Sequence, residues 1–146
     1  MKKIALTLIV CWMAGPLRAA EASWLTSVPD AMSQAKKENK LVLLDFTGSD
    51  WCGWCKKLAA ETFSKAEFAD YAGKNLVLVE VDFPAQKAQS AELKAANRAL
   101  QEKYGVGGYP TLVALKADGK VVWTQVGYLA GGPPAMIAKL EEAKRK

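Results

Sequence analysis

The sequence predicts an α/β protein of three layers, with helices on both faces of a central mixed sheet. Three observations carry this. Leu41 to Phe46 and Leu76 to Val81 are apolar at almost every position, as strands covered on both faces are. Helical patterns interleave with these two runs, so the pair is expected to be parallel. Thr111 to Leu115 and Val121 to Val126 flank Asp118-Gly119, the signal of an antiparallel hairpin. The expected order is α-β-α-α-β-α-β-β-α.

Met1 to Ala22 has the three parts of a secretory signal: Lys2 and Lys3, an apolar stretch from Ile4 to Ala14, and Ala20-Glu21-Ala22 as a cleavage site. The apolar stretch is about 11 residues, short of the roughly 20 that a membrane span needs. Leu8-Ile9-Val10-Cys11 loosely resembles a lipoprotein signal, but Val10 is bulky where such signals carry a small residue, so cleavage before Ser23 is the favoured reading. Export of this kind places the mature protein in the periplasm or outside the cell. Residues 23–146 are then one domain with a proper core.

Within that domain Trp24, Leu25 and Val28 form an apolar lead-in. Pro29-Asp30 starts a helix that runs to about Asn39, with Met32 and Ala35 inward. The strand Leu41 to Phe46 contains one ionisable residue, Asp45, and a buried carboxylate is costly unless it has work or a partner. Thr47-Gly48-Ser49-Asp50 leads into a cysteine-bearing helix reaching Phe63. Ser64 to Glu67 reads as a capping box opening a helix that ends near Gly73. After Leu76 to Val81, Phe83-Pro84 breaks the strand, and a helix from about Ser90 carries Leu93, Ala96, Leu100 and Tyr104 on one face before Gly105 stops it. Gly131-Gly132-Pro133-Pro134 precedes a closing helix marked by Met136, Ile137, Leu140 and Ala143.

Composition excludes several classes of function. The chain carries a net charge of +5. Removing Met1–Ala22 takes three basic residues and one acidic residue, leaving +3. Apart from Lys144-Arg145-Lys146 the basic residues are scattered, so neither nucleic acid nor an anionic membrane is expected as a partner. There is no histidine, and the only cysteines are Cys11, Cys52 and Cys55. That leaves a zinc site short of its usual four ligands. A copper chaperone is disfavoured because neither histidine nor a nearby methionine completes a ligand set. No metal or bound cofactor is expected.

The chemistry centres on Trp51-Cys52-Gly53-Trp54-Cys55-Lys56, at the junction of a strand and a helix. If Cys52 opens the helix, its sulfur lies beside unpaired backbone N–H groups at the positive end of the helix dipole. There a thiolate is favoured, with a pKa below the free value of about 8.5. Cys55, one turn in, is placed to close a disulfide. One sulfur can attack a foreign disulfide and the other can resolve the mixed intermediate. A structural staple is disfavoured, because so short a loop constrains the unfolded chain little.

Asp45-Phe46, the Cys52/Cys55 motif, Tyr104-Gly105-Val106 and Gly108-Tyr109-Pro110-Thr111 together resemble the thioredoxin superfamily across essentially the whole mature chain. Gly108-Tyr109-Pro110-Thr111 looks most like the protein disulfide isomerase branch, and Phe46 to Cys52 like exported bacterial thioredoxin-like proteins. The resemblance implies the thioredoxin fold, with Cys52 as attacking thiol and Cys55 as resolving thiol. It implies a cis Pro110 facing them, with the backbone of Tyr109 turned outward to pair with a substrate chain. Asp45 matches the buried acid that helps deprotonate the resolving cysteine. The lysine that commonly accompanies this acid is missing, the matching strand reading Leu76-Val77-Leu78-Val79. Trp51, Gly53, Trp54 and Tyr109 would line an adaptable substrate surface.

The expected function is thus an exported thiol–disulfide oxidoreductase, acting as a monomer on protein disulfides or thiols with its own cysteine pair. Gly53-Trp54 lacks the histidine of oxidising relatives, which favours a reductase supplied with electrons by a membrane-embedded donor. The rivals are a disulfide oxidase or isomerase, and a binding module of the same fold whose disulfide is idle.

Overall fold

The computed structural model describes residues 22–146. Cys11 and the signal-like stretch lie outside the described residues, apart from Ala22. Five strands form one sheet in the order β1-β3-β2-β4-β5. They are β1 (Trp24–Leu25), β2 (Leu41–Thr47), β3 (Leu76–Asp82), β4 (Thr111–Leu115) and β5 (Val121–Val126). β1 and β2 both run parallel to β3, while β4 is antiparallel to β2 and β5 to β4. The helices are α1 (Val28–Glu38), α2 (Gly53–Leu58), α3 (Ala66–Asn75), α4 (Ala91–Lys103) and α5 (Gly132–Lys144).

β2 lies between β3 and β4 and is buried along its whole length, which is why it is apolar on both faces. Its alternate side chains serve two cores. Leu41 and Leu43 join Leu58, Phe63, Phe68, Leu112, Met136 and Leu140 on the face covered by α2, α3 and α5. Val42, Leu44 and Phe46 join Ala31, Ala35, Val79 and Val113 on the face covered by α1 and partly by α4. Asp45 and Thr47 continue the first of these alternations, so they lie on the face beneath α2.

Four local expectations are corrected. The lead-in Trp24–Leu25 is an edge strand paired with Leu78–Val79, too short to show alternation in the sequence. The cysteine-bearing helix is α-helical only to Leu58 and then becomes a π-helix over Ala59–Phe63, where the Ser64 N–H donates to Ala59 O at 2.9 Å. The capping box does not form. Lys65 is the N-cap of α3 and makes no side-chain cap bond. The Ser64 hydroxyl instead donates to Ala60 O, drawn back onto the preceding π turn. On α4 the inward row is Leu93, Asn97, Leu100 and Tyr104, with Ala96 exposed. A buried asparagine was not expected, and its side-chain amide donates to Asp82 O at 2.9 Å, where β3 ends.

Other boundaries follow local chemistry. Ser27 caps α1 by accepting the Asp30 N–H, and Asn39 ends it in the left-handed conformation. Ser90 caps α4 through the Leu93 N–H. The Asp118-Gly119 turn is closed by Lys116 N–H to Lys120 O, with Gly119 at φ 91°.

Phe68 is fully buried, with its ring centre 5.0 Å from that of Phe63. Phe68→Ala leaves a cavity that the surrounding layers cannot collapse into, and should cost about 3–5 kcal/mol. Urea unfolding checks this. A loss below about 1 kcal/mol would mean that α3 is not a fixed part of this core.

Candidate functional site

β2 delivers the chain to the site through a turn at Gly48. Gly48 O accepts the N–H groups of Trp51 and Cys52 at 3.2 and 2.8 Å. A Cβ on Gly48 would lie 2.5 Å from the Trp51 ring, so only glycine lets the indole fold over this turn. Cys52 is then the N-cap of α2, in extended conformation, and its sulfur accepts the Cys55 N–H at 3.2 Å. Cys52 and Cys55 are joined as a disulfide with their Cα atoms 5.3 Å apart. Both are buried, 6% and 5% exposed, so accessibility does not separate their roles. The two differ in helix position: Cys52 sits at the end with free N–H groups and Cys55 lies inside the first turn.

An aromatic rim surrounds the pair. Trp51 is 52% exposed, and its indole N–H donates to Phe83 O at 2.8 Å. Its ring meets Tyr109 edge-on at 5.8 Å, and Tyr109 also packs against Phe83 at 5.1 Å. The Gln101 amide donates to the Tyr109 hydroxyl. Tyr109–Pro110 is a cis peptide bond. Trp54, 57% exposed, leans on Tyr128 at 5.4 Å, and the Lys57 ammonium lies 5.2 and 5.1 Å from the centres of these two rings. The Tyr128 hydroxyl is hydrogen-bonded to Glu61. Trp54, Tyr109, Pro110, Gly127 and Tyr128 enclose an open slot of 340 Å³. A largely apolar slot beside a disulfide suits an extended peptide segment.

The rim is held from behind by acids. Asp50 accepts the backbone N–H groups of Ala85, Gln86 and Lys87 at 2.7 to 2.9 Å, which depresses its pKa to about 2. This ties the loop after β3 to the cysteine loop. Lys56 donates to Asp50 O, and Asp82 accepts both the N–H and the hydroxyl of Ser49. Asp45 is 8% exposed, and its Oδ1 has no hydrogen-bond partner. Burial, then the nearby carboxylates of Glu80 and Asp82, push its pKa up to about 8.

The structure brings Trp51, Cys52, Trp54, Cys55, Tyr109 and Pro110 to one end of the molecule, with Gly53 at the first position of α2 and Asp45 on the sheet face below it. The sequence reading missed Phe83, Tyr128, Asp50 and Glu80. Tyr128 and Phe83 are far along the chain from the cysteines and belong to no local motif. Glu80 was within reach. Strands that both begin on a leucine, Leu41 and Leu76, pair Asp45 with Glu80 rather than with any of Leu76 to Val79.

A family model described as a thioredoxin-like domain matches residues 28–144. The disulfide bond reductase DsbH of Chlamydia pneumoniae is 38% identical over 128 residues, which cover 88% of this chain and 76% of that protein. A solved structure of a DsbH oxidoreductase superposes with a TM-score of 0.81 at 34% identity, covering 99% of this chain and 95% of the other. The C-terminal domain of Neisseria meningitidis DsbD in its reduced form aligns with a TM-score of 0.58 at 28% identity, over 80% of this chain and 93% of that domain.

The raised Asp45 pKa has a consequence for stability. An unfolded aspartate titrates near 3.9. The folded chain therefore holds a proton that the unfolded chain has released between about pH 4 and about pH 8. Folding loses stability as pH rises through that window. Asp45→Asn should match the parent near pH 4 and exceed it by on the order of 2–4 kcal/mol near pH 8, as read from urea midpoints across pH. A constant difference at all pH values would show that the Asp45 carboxyl is not held protonated.

Proposed function

The chain belongs to the thioredoxin-like family and is a thiol–disulfide oxidoreductase, and on that premise we propose that it works outside the cytoplasm as a reductase of protein disulfides. The single observation that carries the mechanism is the capping of α2 by the Cys52 sulfur. In the reduced protein the same position offers the Cys52 thiolate the free N–H groups and the positive end of α2. Cys52 attacks a client disulfide and releases one client sulfur. Cys55 then attacks the Cys52 sulfur, restoring the intramolecular disulfide and freeing the second client sulfur. Asp45 is the base that accepts the Cys55 proton in that second step.

The client chain lies along Tyr109 and Pro110 in an extended conformation, its flanking side chains against Trp54 and Tyr128. Such a surface binds through backbone pairing and apolar contact, so it takes many clients rather than one sequence. Trp51 and Gly53 complete the surface without adding charge.

The reducing direction is supported by what surrounds the sulfur. Trp54 occupies the place where an imidazolium would stabilise the thiolate, and of the two lysines that follow Cys55, Lys56 donates to Asp50 O while Lys57 lies over the Trp54 and Tyr128 rings and 4.0 Å from Glu61. A thiolate left without such help makes the reduced pair the better electron donor. Export rests on the signal pattern of Met1–Ala22, which leaves residues 23–146 as the working domain. A reductase in an oxidising compartment needs electrons from elsewhere, here a membrane-embedded relay. The protein acts as a monomer, with no cofactor beyond its cysteines and no nucleic-acid partner.

Insulin-disulfide reduction tests the activity, with Cys52→Ser/Cys55→Ser as control. The parent should accelerate precipitation of the insulin B chain, and the double variant should fall to the uncatalysed rate. Cys55→Ser should accumulate mixed disulfides with clients, and Cys52→Ser should not. A parent no faster than the double variant, with both at the uncatalysed rate, would leave a binding module. Faster alkylation of Cys55 than of Cys52 at neutral pH would reverse the two roles.

A further inference from the structure

The parallel register of β2 and β3 sets Asp45 directly beside Glu80, and Thr47 beside Asp82. Side chains alternate along both strands. Leu41, Leu43, Leu76 and Leu78 all enter the core beneath α2, so Asp45, Glu80 and Asp82 continue onto that same face at its active-site end. Three carboxyl groups thus lie on one patch of sheet under the cysteine helix.

Their surroundings differ. Asp45 is nearly sealed and has an orphan oxygen, Glu80 is half-buried, and Asp82 is bound to Ser49. Among the described residues, the charged groups that act on Asp45 are Glu80 and Asp82, both acids. β4 brings Leu112 alongside it, and α2 covers this face with Leu58 and carries the cysteine pair. Lys56 turns to Asp50 O and Lys57 to the aromatic rings. Lys87, from the loop after β3, acts on Glu80 at the outer edge and bonds the Ser49 hydroxyl. Among the described residues no three of these acids and cysteines converge as a shared metal ion requires.

We propose that Glu80 is a positioning residue for the resolving step, controlling when the Asp45 carboxyl can take the Cys55 proton. This rests on Asp45 being the base of that step. The Cys55 S–H bond breaks and its proton passes to the Asp45 carboxylate. The sulfur electron pair forms the Cys55–Cys52 bond. The bond from Cys52 to the client sulfur breaks, and its pair leaves on the client thiolate. The cysteine pair is oxidised and the client disulfide reduced.

Two acids on adjacent strands cannot both ionise freely, and the sealed one loses. While Glu80 is ionised, Asp45 keeps its own proton and cannot take another. Resolution therefore waits on the small ionised fraction of Asp45, and mixed disulfides persist longer as pH falls. The residue set beside Asp45 by the strand register is thus a second acid, and it gates the first.

The test uses the mature protein, reduced and mixed with excess oxidised glutathione, followed by the fluorescence of Trp51 and Trp54. The phase whose rate no longer depends on glutathione concentration reports the Cys55 attack. Glu80→Gln should move the pH midpoint of that phase down by about one unit or more and speed it up to about tenfold near pH 7, with the capture phase little changed. Glu80→Asp should restore most of the parent profile. A carbon-13 titration of the Asp45 carboxyl in the oxidised protein should shift in parallel, which a purely structural role for Glu80 would not produce. A folded Glu80→Gln protein with both midpoints unmoved overturns the assignment. If Asp45→Asn leaves the resolving phase and its pH profile intact, the underlying base reading falls. If Asp45→Asn abolishes the profile while Glu80→Gln leaves it intact, only the role of Glu80 falls.

Discussion

Cys52 accepts the Cys55 N–H with its sulfur, and that hydrogen bond makes a redox atom the cap of a helix. The first N–H groups of a helix have no partners of their own, so whatever occupies the cap position feels them directly. Serine or aspartate usually serves there as a structural stop. A cysteine in the same place turns the cap into a reactive group. The rest of the active end serves that placement. β2 must run buried along its whole length, the chain must turn at Gly48, and the Trp51 indole must fold over the turn. The π-helical segment that follows carries the buried Thr62 and Phe63, and Phe63 anchors the far end of the cysteine-bearing helix in the core.

Around this cap the molecule arranges charge in two ways. Where acids accept backbone N–H groups, they stitch loops together, as Asp50 does with residues 85–87 and Asp82 with Ser49. Where an acid is buried beside other carboxylates, as at Asp45, burial first and then those carboxylates push its pKa up to about 8. The first kind fixes the geometry of the aromatic rim. The second leaves an acid with a raised pKa on the sheet face beneath the cysteine-bearing helix. Asp45 on β2 and Asp50 on the loop after it, one of each kind, are only a few residues apart.

Much of this was legible in the sequence because it is local. The cysteine spacing, the apolar strands, the Asp118-Gly119 turn and the glycines before Pro110 each declare themselves within a few residues. The capping box at Ser64 to Glu67 was misread for a physical reason: the preceding helix widens to a π turn, and Ser64 bonds back to Ala60 instead of forward. The inward row of α4 was placed with Ala96 where Asn97 belongs, because an asparagine reads as surface until its partner, the carbonyl of Asp82, is known. Tyr128, Phe83 and Asp50 act across the fold, and no short-range pattern marks them. Glu80 was hidden by a register, not by distance.

The central claim is that the surroundings of Cys52 leave the pair a donor of electrons. Reduction potentials in proteins of this fold run from about −270 mV for thioredoxin to about −120 mV for the strong periplasmic oxidant, a span of roughly 7 kcal/mol at about 1.4 kcal/mol per 30 mV. The most direct measurement is the equilibrium potential of Cys52/Cys55 against a glutathione redox buffer. A value in the lower half of that span, towards thioredoxin, is what an uncharged Trp54 and a diverted Lys57 predict. A value near the oxidising end would contradict the account, because it would mean that the reduced pair is stabilised by something other than the groups described here.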